Sequence, residues 1–396
     1  MNSTPQSMRL HIGIFGRCNV GKSSLVNRLT GQSLAIVSDV AGTTTDAVVK
    51  SIEIGPLGPC VLIDTAGIDD SSPLGPQRKE QTLRAADKCD MAILVCGATV
   101  DYEMEREWKE MFSKRGVPVL VVLGKADRII DPEEHKLMIE ATLGVSPLLW
   151  SHDSEREVLI QALVALRPEG GARRSIVGNL VEAGDKVVLV MPQDASAPKG
   201  RLILPQVQTI RELLDRHCIP MCCLPEELES TLSALSAPPK LIITDSQVFG
   251  YVAERTPKGT MLTSFSVLMA AYKGDVQAFV EGAKAIGGLT EQSRVLIAEA
   301  CTHAPATEDI GRVKLPAMLR RRVGEDLRVD VVGGADFPDD LTPYDLVIHC
   351  GACMFTRAHV LSRLSAASAQ KVPMTNYGIA IAYLTGILGR VVMPTE

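Results

Sequence analysis

The chain lacks several features that would each have pointed to a class of protein. It has no basic excess: 41 lysines and arginines stand against 47 aspartates and glutamates in 396 residues, a formal charge of −6. Binding that works by neutralising a phosphate backbone is disfavoured on that ground, and no nucleic-acid partner is expected. It has no apolar run of the roughly 20 residues that a bilayer crossing takes. The longest, Tyr377 to Leu388, contains Gly378 and Gly386 and reads as a buried helix. The first residues show no basic segment leading into an apolar core and a small-residue cleavage site, so neither a secretion signal nor a membrane partner is expected, and the expected location is cytoplasmic. In a reducing compartment the ten cysteines are not expected to form a disulfide framework, so each has to be core, reactive thiol or metal ligand.

What is present is an ordinary globular composition, 46% apolar and 22% charged. The length predicts two or three domains. From Leu10 to Leu166, strand-length runs (HIGIFG, SIEI, CVLID, MAILVCG, PVLVVLG) alternate with helical patterns, which is the signature of an α/β domain with a largely parallel sheet. RPEGGARRS, residues 167–175, has no period and reads as a linker. A second α/β unit follows, with KVVLVMP, IPMCCLP and KLIITDS as strands and SFSVLMAAYKG at its close. A third begins near Asp275, with RVLIAEAC, LRVDVVGG and DLVIHCGAC as strands. The expected domains are 1–170, 177–268 and 272–396: an α/β domain and two smaller α/β domains, the last a doubly wound parallel sheet.

Gly16-Arg17-Cys18-Asn19-Val20-Gly21-Lys22-Ser23 fits G-x-x-x-x-G-K-[ST] between an apolar strand and a helix, the context that marks a phosphate loop. Its glycines let backbone N–H groups close around phosphates. Lys22 reaches the β- and γ-phosphates, Ser23 ligates Mg²⁺, and Ser24 follows in the first helical turn. Asp64-Thr65-Ala66-Gly67 ends the next strongly apolar strand, where Asp64 can hold Mg²⁺ through water and the Gly67 N–H can face the γ-phosphate. Between them, in Gly42-Thr43-Thr44-Thr45-Asp46, Thr44 is the expected nucleotide-dependent Mg²⁺ ligand. Lys22, Thr44 and Gly67 are the groups expected to act at the phosphates during hydrolysis. After PVLVVLG, Gly124-Lys125-Ala126-Asp127 offers a carboxylate that accepts both N–H donors of a guanine edge and a lysine to pack over the ring, so the expected nucleotide is GTP.

These segments resemble the GTPases of the TrmE and Era type, whose base-reading motif is N-K-x-D; here Gly124 stands in place of the asparagine. The final base-contacting segment falls around Ser151-His152-Asp153, a poor match to the usual Ser-Ala. Asn19 matches the position at which TrmE-like enzymes bind potassium beside the phosphates, which implies K⁺-stimulated hydrolysis. Ile68 stands where Ras-type enzymes carry their water-positioning glutamine, so slow turnover and a switch role are expected.

Cys301-Thr302-His303 closes one apolar strand and His349-Cys350-Gly351-Ala352-Cys353 closes another, so both groups are expected at the carboxyl edge of one parallel sheet. Three thiols and two imidazoles then converge. A CxxC turn can hold two corners of an iron-sulfur cube and a distant cysteine a third, with His303, His349 or an exchangeable group on the fourth iron; zinc in a Cys₃His site would use the same residue types. Cys60, Cys89, Cys96, Cys218, Cys222 and Cys223 are expected to fill cores. His359 is expected to be packed or on the surface rather than a ligand.

A GTPase domain, a middle α/β domain and a terminal CxH…HCxxC domain together resemble the HydF family, the maturation GTPases of [FeFe]-hydrogenase, over nearly the whole chain. The resemblance implies a scaffold that holds a [4Fe–4S] cluster on Cys301, Cys350 and Cys353. It implies receipt of a transient diiron precursor from two radical-SAM maturases and its delivery to the apo-hydrogenase. It also implies a middle domain that dimerises the protein, with a homodimer or a tetramer as the assembly. Two other readings compete. An RNA- or ribosome-associated GTPase with a structural zinc site would share residues 10–166 but should carry a basic surface. A radical-SAM enzyme would need C-x₃-C-x₂-C, which is absent.

Overall fold

The computed structural model describes residues 6–30, 48–69, 75–166, 174–193, 202–300, 310–334 and 336–395. It divides into two compact units, Met1–Ala172 and Arg173–Glu396.

In the first unit the strands are β1 (Leu10–Gly16), β2 (Val48–Ile54), β3 (Gly58–Asp64), β4 (Met91–Cys96), β5 (Val119–Leu123) and β6 (Leu148–Leu149). The helices are α1 (Lys22–Thr30), α2 (Gly75–Ala86), α3 (Glu103–Lys114), α4 (Pro132–Leu143) and α5 (Arg156–Ala165). The sheet order is β2-β3-β1-β4-β5-β6, parallel except for β2 against β3. Alternate strand residues serve two cores. Ile12, Ile14, Leu62 and Ile93 pack with α1 and α5, while Phe15, Ile63, Leu94 and Val121 pack with α3 and α4. Strands buried on both faces read as continuous apolar runs, which is why they stood out in the sequence. After β3 the chain crosses to the other side of β1, and such a reversal opens a crevice at the carboxyl ends of the strands, where α/β folds bind ligands.

In the second unit the strands are β7 (Lys186–Val190), β8 (Ile219–Cys223), β9 (Leu241–Thr244), β10 (Met261–Ser264), β11 (Arg294–Ala298), β12 (Arg328–Val332), β13 (Leu346–His349) and β14 (Met374–Asn376). The helices are α6 (Leu204–Asp215), α7 (Leu228–Ser233), α8 (Phe249–Arg255), α9 (Phe265–Lys273), α10 (Val276–Lys284), α11 (Leu315–Val323), α12 (Arg357–Ala369) and α13 (Tyr377–Leu384). There are two all-parallel four-stranded sheets, ordered β10-β9-β7-β8 and β12-β11-β13-β14. They share a core: Val188 and Ile242 of one and Leu296 and Val347 of the other join the same cluster as Phe249, Val267, Phe279 and Val360 from the helices. The sheet containing β11 is covered on both faces, by that core and by one built on Leu315, Leu319 and Ile381, as a doubly wound sheet requires.

Two expectations need amending. The helix from Tyr377 is buried but ends at Leu384, and Gly386 beyond it turns with φ of 73°. Cys222 is exposed, not core, because β8 is an edge strand whose pleat turns that side chain away from the packed face; Cys60, Cys89, Cys96, Cys218 and Cys223 are buried. Among the described residues no helix is long and apolar enough to cross a membrane.

Candidate functional site

The phosphate loop leaves β1 at Gly16 and ends where α1 begins at Lys22, at the crevice of the first sheet. Lys22 is buried, and its Nζ donates to the carbonyl oxygens of Gly16 (3.0 Å) and Arg17 (2.7 Å). Burial lowers its pKa. Ser23 Oγ donates to Asp64 Oδ2 at 3.5 Å, while Asp64 Oδ1 is buried with no hydrogen-bond partner. Burial raises the Asp64 carboxyl against the pull of the neighbouring Lys22 ammonium. A buried carboxylate oxygen without a donor, beside a helix-terminal serine hydroxyl, fits Mg²⁺.

The Asp64–Gly67 segment is fastened to the loop. Thr65 Oγ1 donates to Ile14 O at 2.7 Å, and the Ile68 N–H donates to Gly16 O at 3.2 Å. Gly67 lies so close that a Cβ there would fall 2.8 Å from the Cys18 nitrogen. The Cys18 N–H donates to Asp69 Oδ1 at 2.6 Å. Arg17 forms a two-pronged pair with Glu105 on α3, at 2.8 and 3.0 Å. Asn19 is exposed, with a left-handed φ of 60°, and Ser24 is exposed on the first turn of α1.

The Gly124–Asp127 segment is anchored by Gly124 N–H to Cys96 O (2.8 Å) and Ala126 N–H to Trp150 O (3.0 Å). Lys125 takes φ of 53°, and its Cγ lies over Gly21 of the phosphate loop. Asp127 is exposed, and Ser151, His152 and Asp153 form the turn after β6. Val20, Gly21, Lys22, Ser23, Asp64, Gly67 and Lys125 thus gather at one edge; Thr44 lies outside the described residues.

At the second candidate site, β11 and β13 are parallel neighbours with Ala298 in register with His349, and β12 and β14 lie on either side of them. The chain reverses its winding there, at a second switch point. The Cys350 N–H donates to Ala298 O at 3.0 Å, and Cys350 Sγ accepts N–H bonds from Ala300 (3.0 Å) and Ala352 (3.4 Å). Burial pushes the Cys350 thiol up to about 11, while those two N–H groups favour the thiolate. N–H donors aimed at sulfur suit cluster-ligating cysteines, and the donor set fits an iron-sulfur group. Cys350 and Cys353 are both half-buried. Cys301 and His303 lie outside the described residues, and among the described ones no three His, Cys, Asp or Glu groups gather around a metal position.

His349 is buried and engaged at both nitrogens: Nδ1 donates to Cys350 O at 2.9 Å and Nε2 accepts from Arg363 Nη1 at 3.0 Å. Burial first, and then the Arg363 charge, lower its pKa to about 3, so it is neutral. His359 stacks on Phe355 at 4.0 Å. Asp69, Glu105, Arg363 and Lys273, which contacts the CxxC turn, escaped the sequence reading. Only Asp69, two residues beyond Gly67, carried a signal that could have drawn attention.

The fold and phosphate-loop site define a P-loop GTPase domain joined to two further α/β regions. The family model described as a 50S ribosome-binding GTPase matches residues 11–125. The hydrogen maturase F dimerization domain matches residues 176–274, and the hydrogen maturase F tetramerization domain matches residues 277–394. These last two together span more than half of the chain, which belongs to the hydrogen maturase F family and carries that family's oligomerisation domains. Among curated relatives, the GTPase Der of Chlamydia caviae is 38% identical over 166 residues, 40% of this chain and 34% of Der. The tRNA modification GTPase MnmE of Pectobacterium carotovorum is 33% identical over 222 residues, 52% of this chain and 47% of MnmE. The chain thus spans between a third and a half of these relatives. A solved structure of an Aquifex aeolicus Era variant bound to GDP·AlF₄⁻ aligns at 19% identity with a TM-score of 0.36, covering 55% of this chain and 93% of that one.

Proposed function

We propose that the chain is a GTP-binding and GTP-hydrolysing scaffold for the maturation of [FeFe]-hydrogenase, one that holds a [4Fe–4S] cluster and passes a diiron precursor to the apo-enzyme. The observation that carries this reading is the hydrogen bond from the Ala300 N–H to Cys350 Sγ, which brings the residue before Cys301 against the CxxC pair in a chain of the hydrogen maturase F family. Cys301, Cys350 and Cys353 would hold the cluster, whose chemistry when bound is an iron with a replaceable ligand, suited to taking up and releasing a cargo. His349 would have to give up one of its two hydrogen bonds to serve as fourth ligand, which favours His303 or an exchangeable group.

At the nucleotide site Ser23, Asp64 and Thr44 would hold Mg²⁺, which neutralises phosphate charge. Lys22 would exchange the Gly16 and Arg17 carbonyls for the β- and γ-phosphates, and the Gly67 N–H would face the γ-phosphate. Asp127 would accept from the guanine edge under Lys125, and Asn19 would ligate K⁺. Nucleotide state would act on partner binding through the segments around Thr44 and Gly67. The proposed partners are the apo-hydrogenase, the two radical-SAM maturases and further copies of this chain, in the cytoplasm.

Iron and zinc analysis with low-temperature EPR on anaerobically reconstituted, reduced protein tests the reading, with wild type beside Cys350→Ala. A reduced [4Fe–4S] signal that the substitution abolishes or alters is expected. Zinc without iron would overturn the carrier reading and leave a GTPase with a structural metal. The GTP coupling is tested by Lys22→Ala, which should alter partner dissociation and hydrogenase activation; if both stay at wild-type levels the coupling is wrong.

A further inference from the structure

Lysine is almost never fully buried unless its ammonium is paired. Lys273, the last residue of α9, is only 2% exposed. Its Nζ donates to the carbonyl oxygens of Ala352 (3.1 Å), Cys353 (3.1 Å) and Phe355 (2.6 Å). An ammonium has three protons, and here three acceptors lie within one turn, the turn that carries the CxxC pair. The backbone of that turn is bent to suit: Ala352 adopts a left-handed φ of 51°. Its carbonyls face the ammonium, while the Ala352 N–H reaches Cys350 Sγ at 3.4 Å. The next residue adds a second tie, since Arg357 at the start of α12 donates to Gly274 O. Lys273 and Gly274 therefore hold both the CxxC turn and the helix that follows it. They belong to the segment matched by the dimerization domain, whereas the cysteines belong to the next one.

We propose that Lys273 is a positioning residue of the iron-sulfur site, clamping the CxxC turn through its carbonyls and fixing a positive charge behind Cys350 and Cys353. This rests on the reading of Cys301, Cys350 and Cys353 as cluster ligands. Two consequences follow from the chemistry. Three carbonyls that lose their common donor no longer hold the turn in one conformation, so the ligands release iron more readily. A fixed cation beside an iron-sulfur group favours the more negative, reduced state, because cluster potentials follow local charge and hydrogen bonding.

The test uses the full chain, anaerobically reconstituted, as wild type, Lys273→Met and Lys273→Arg. Methionine keeps an unbranched stem and removes the charge; arginine keeps the charge, but its planar fork cannot converge on three oxygens around a point. The readouts are the EPR-monitored midpoint potential and the rate of iron loss to a chelator. Lys273→Met should lose iron several-fold faster and shift its potential negative, by about 59 mV for each tenfold change in the one-electron equilibrium. Lys273→Arg should also lose iron faster while keeping a potential closer to wild type. If Lys273→Met holds iron as long as wild type at the same potential, the clamp is wrong while the cluster reading stands. Wild type that takes up no iron would overturn the cluster reading and the clamp with it. Should Lys273→Met fail to fold, Lys273→Arg decides: wild-type iron retention in it overturns the clamp, and faster loss supports it.

Discussion

Gly124 packs so tightly against Val20 that a Cβ on it would lie 2.3 Å from the Val20 carbonyl oxygen and 2.9 Å from Val95 Cγ1. The place where related GTPases carry asparagine is thus occupied here by the backbone of the phosphate loop. Gly124→Asn restores the N-K-x-D pattern, and on pattern alone it should tighten guanine binding. The geometry says the reverse, since backbone has to move and overpacking of this kind costs about 1–3 kcal/mol. Affinity for GDP, measured by fluorescence titration, should fall by tenfold or more, with a lower melting temperature. Tighter binding in a stable variant would show that the loop yields.

Asp69 bonds the Cys18 N–H, one of the loop amides that would otherwise face phosphate. A third phosphate brings more negative charge toward that carboxylate, so Asp69 should oppose GTP more than GDP. Asp69→Ala is expected to raise GTP affinity relative to GDP by about fivefold, in line with the modest net worth of one exposed hydrogen bond. An unchanged GTP-to-GDP ratio would mean that the carboxylate swings clear at no cost.

How much of this was legible in the sequence depends on the range over which each feature acts. The phosphate loop, the Asp64–Gly67 segment and the apolar strands are local patterns: the strands form the sheet, and the two segments leave the carboxyl ends of β1 and β3 as their spacing implied. That β11 and β13 end at the carboxyl edge of one parallel sheet was legible too, because strand-length apolar runs alternate there with helical stretches; that they are direct neighbours, with β12 between them in the chain but outside them in the sheet, was not. The two-residue β6 and three-residue β14 were not, being too short to carry a period. Cys222 was misread because alternation does not reveal which strand is an edge. The shared core of the second unit, the Arg363–His349 bond and the Lys273 clamp join residues distant in sequence and follow from packing alone.

The cysteines give a direct check on burial. Burial pushes the thiols of Cys89 and Cys96 well above the ordinary range, and both are closed to solvent. The thiolate is the reactive form, so native protein treated with iodoacetamide near pH 8 should leave Cys60, Cys89 and Cys96 unlabelled until it is unfolded. Cys222, exposed on the β8 edge, should label first among the cysteines outside the two candidate sites. Mass spectrometry of the digest reads this out. Protection of Cys222 as complete as that of Cys89 would mean that another chain covers the β8 edge, and dilution should then release it.

Asp64 combines a stabilising and a destabilising role, and one substitution separates them. Its Oδ1 is buried with no donor, and burial raises its carboxyl above the ordinary range. A group whose pKa is raised in the folded state adds stability at low pH that is lost as pH rises through the folded value. Without metal, then, the ionised carboxylate weighs against the fold at neutral pH. Asp64→Asn removes that charge at nearly constant shape. In metal-free buffer at pH 7 it should leave the first unit as stable as wild type or more so by about 1 kcal/mol, some 2–4 °C in melting temperature. With Mg²⁺ and GDP the order should reverse, because ligand binding stabilises only the form that binds. Wild type should gain several degrees and Asp64→Asn little. If Asp64→Asn instead lowers the melting temperature in metal-free, nucleotide-free buffer, Asp64 is holding the fold rather than waiting for a cation.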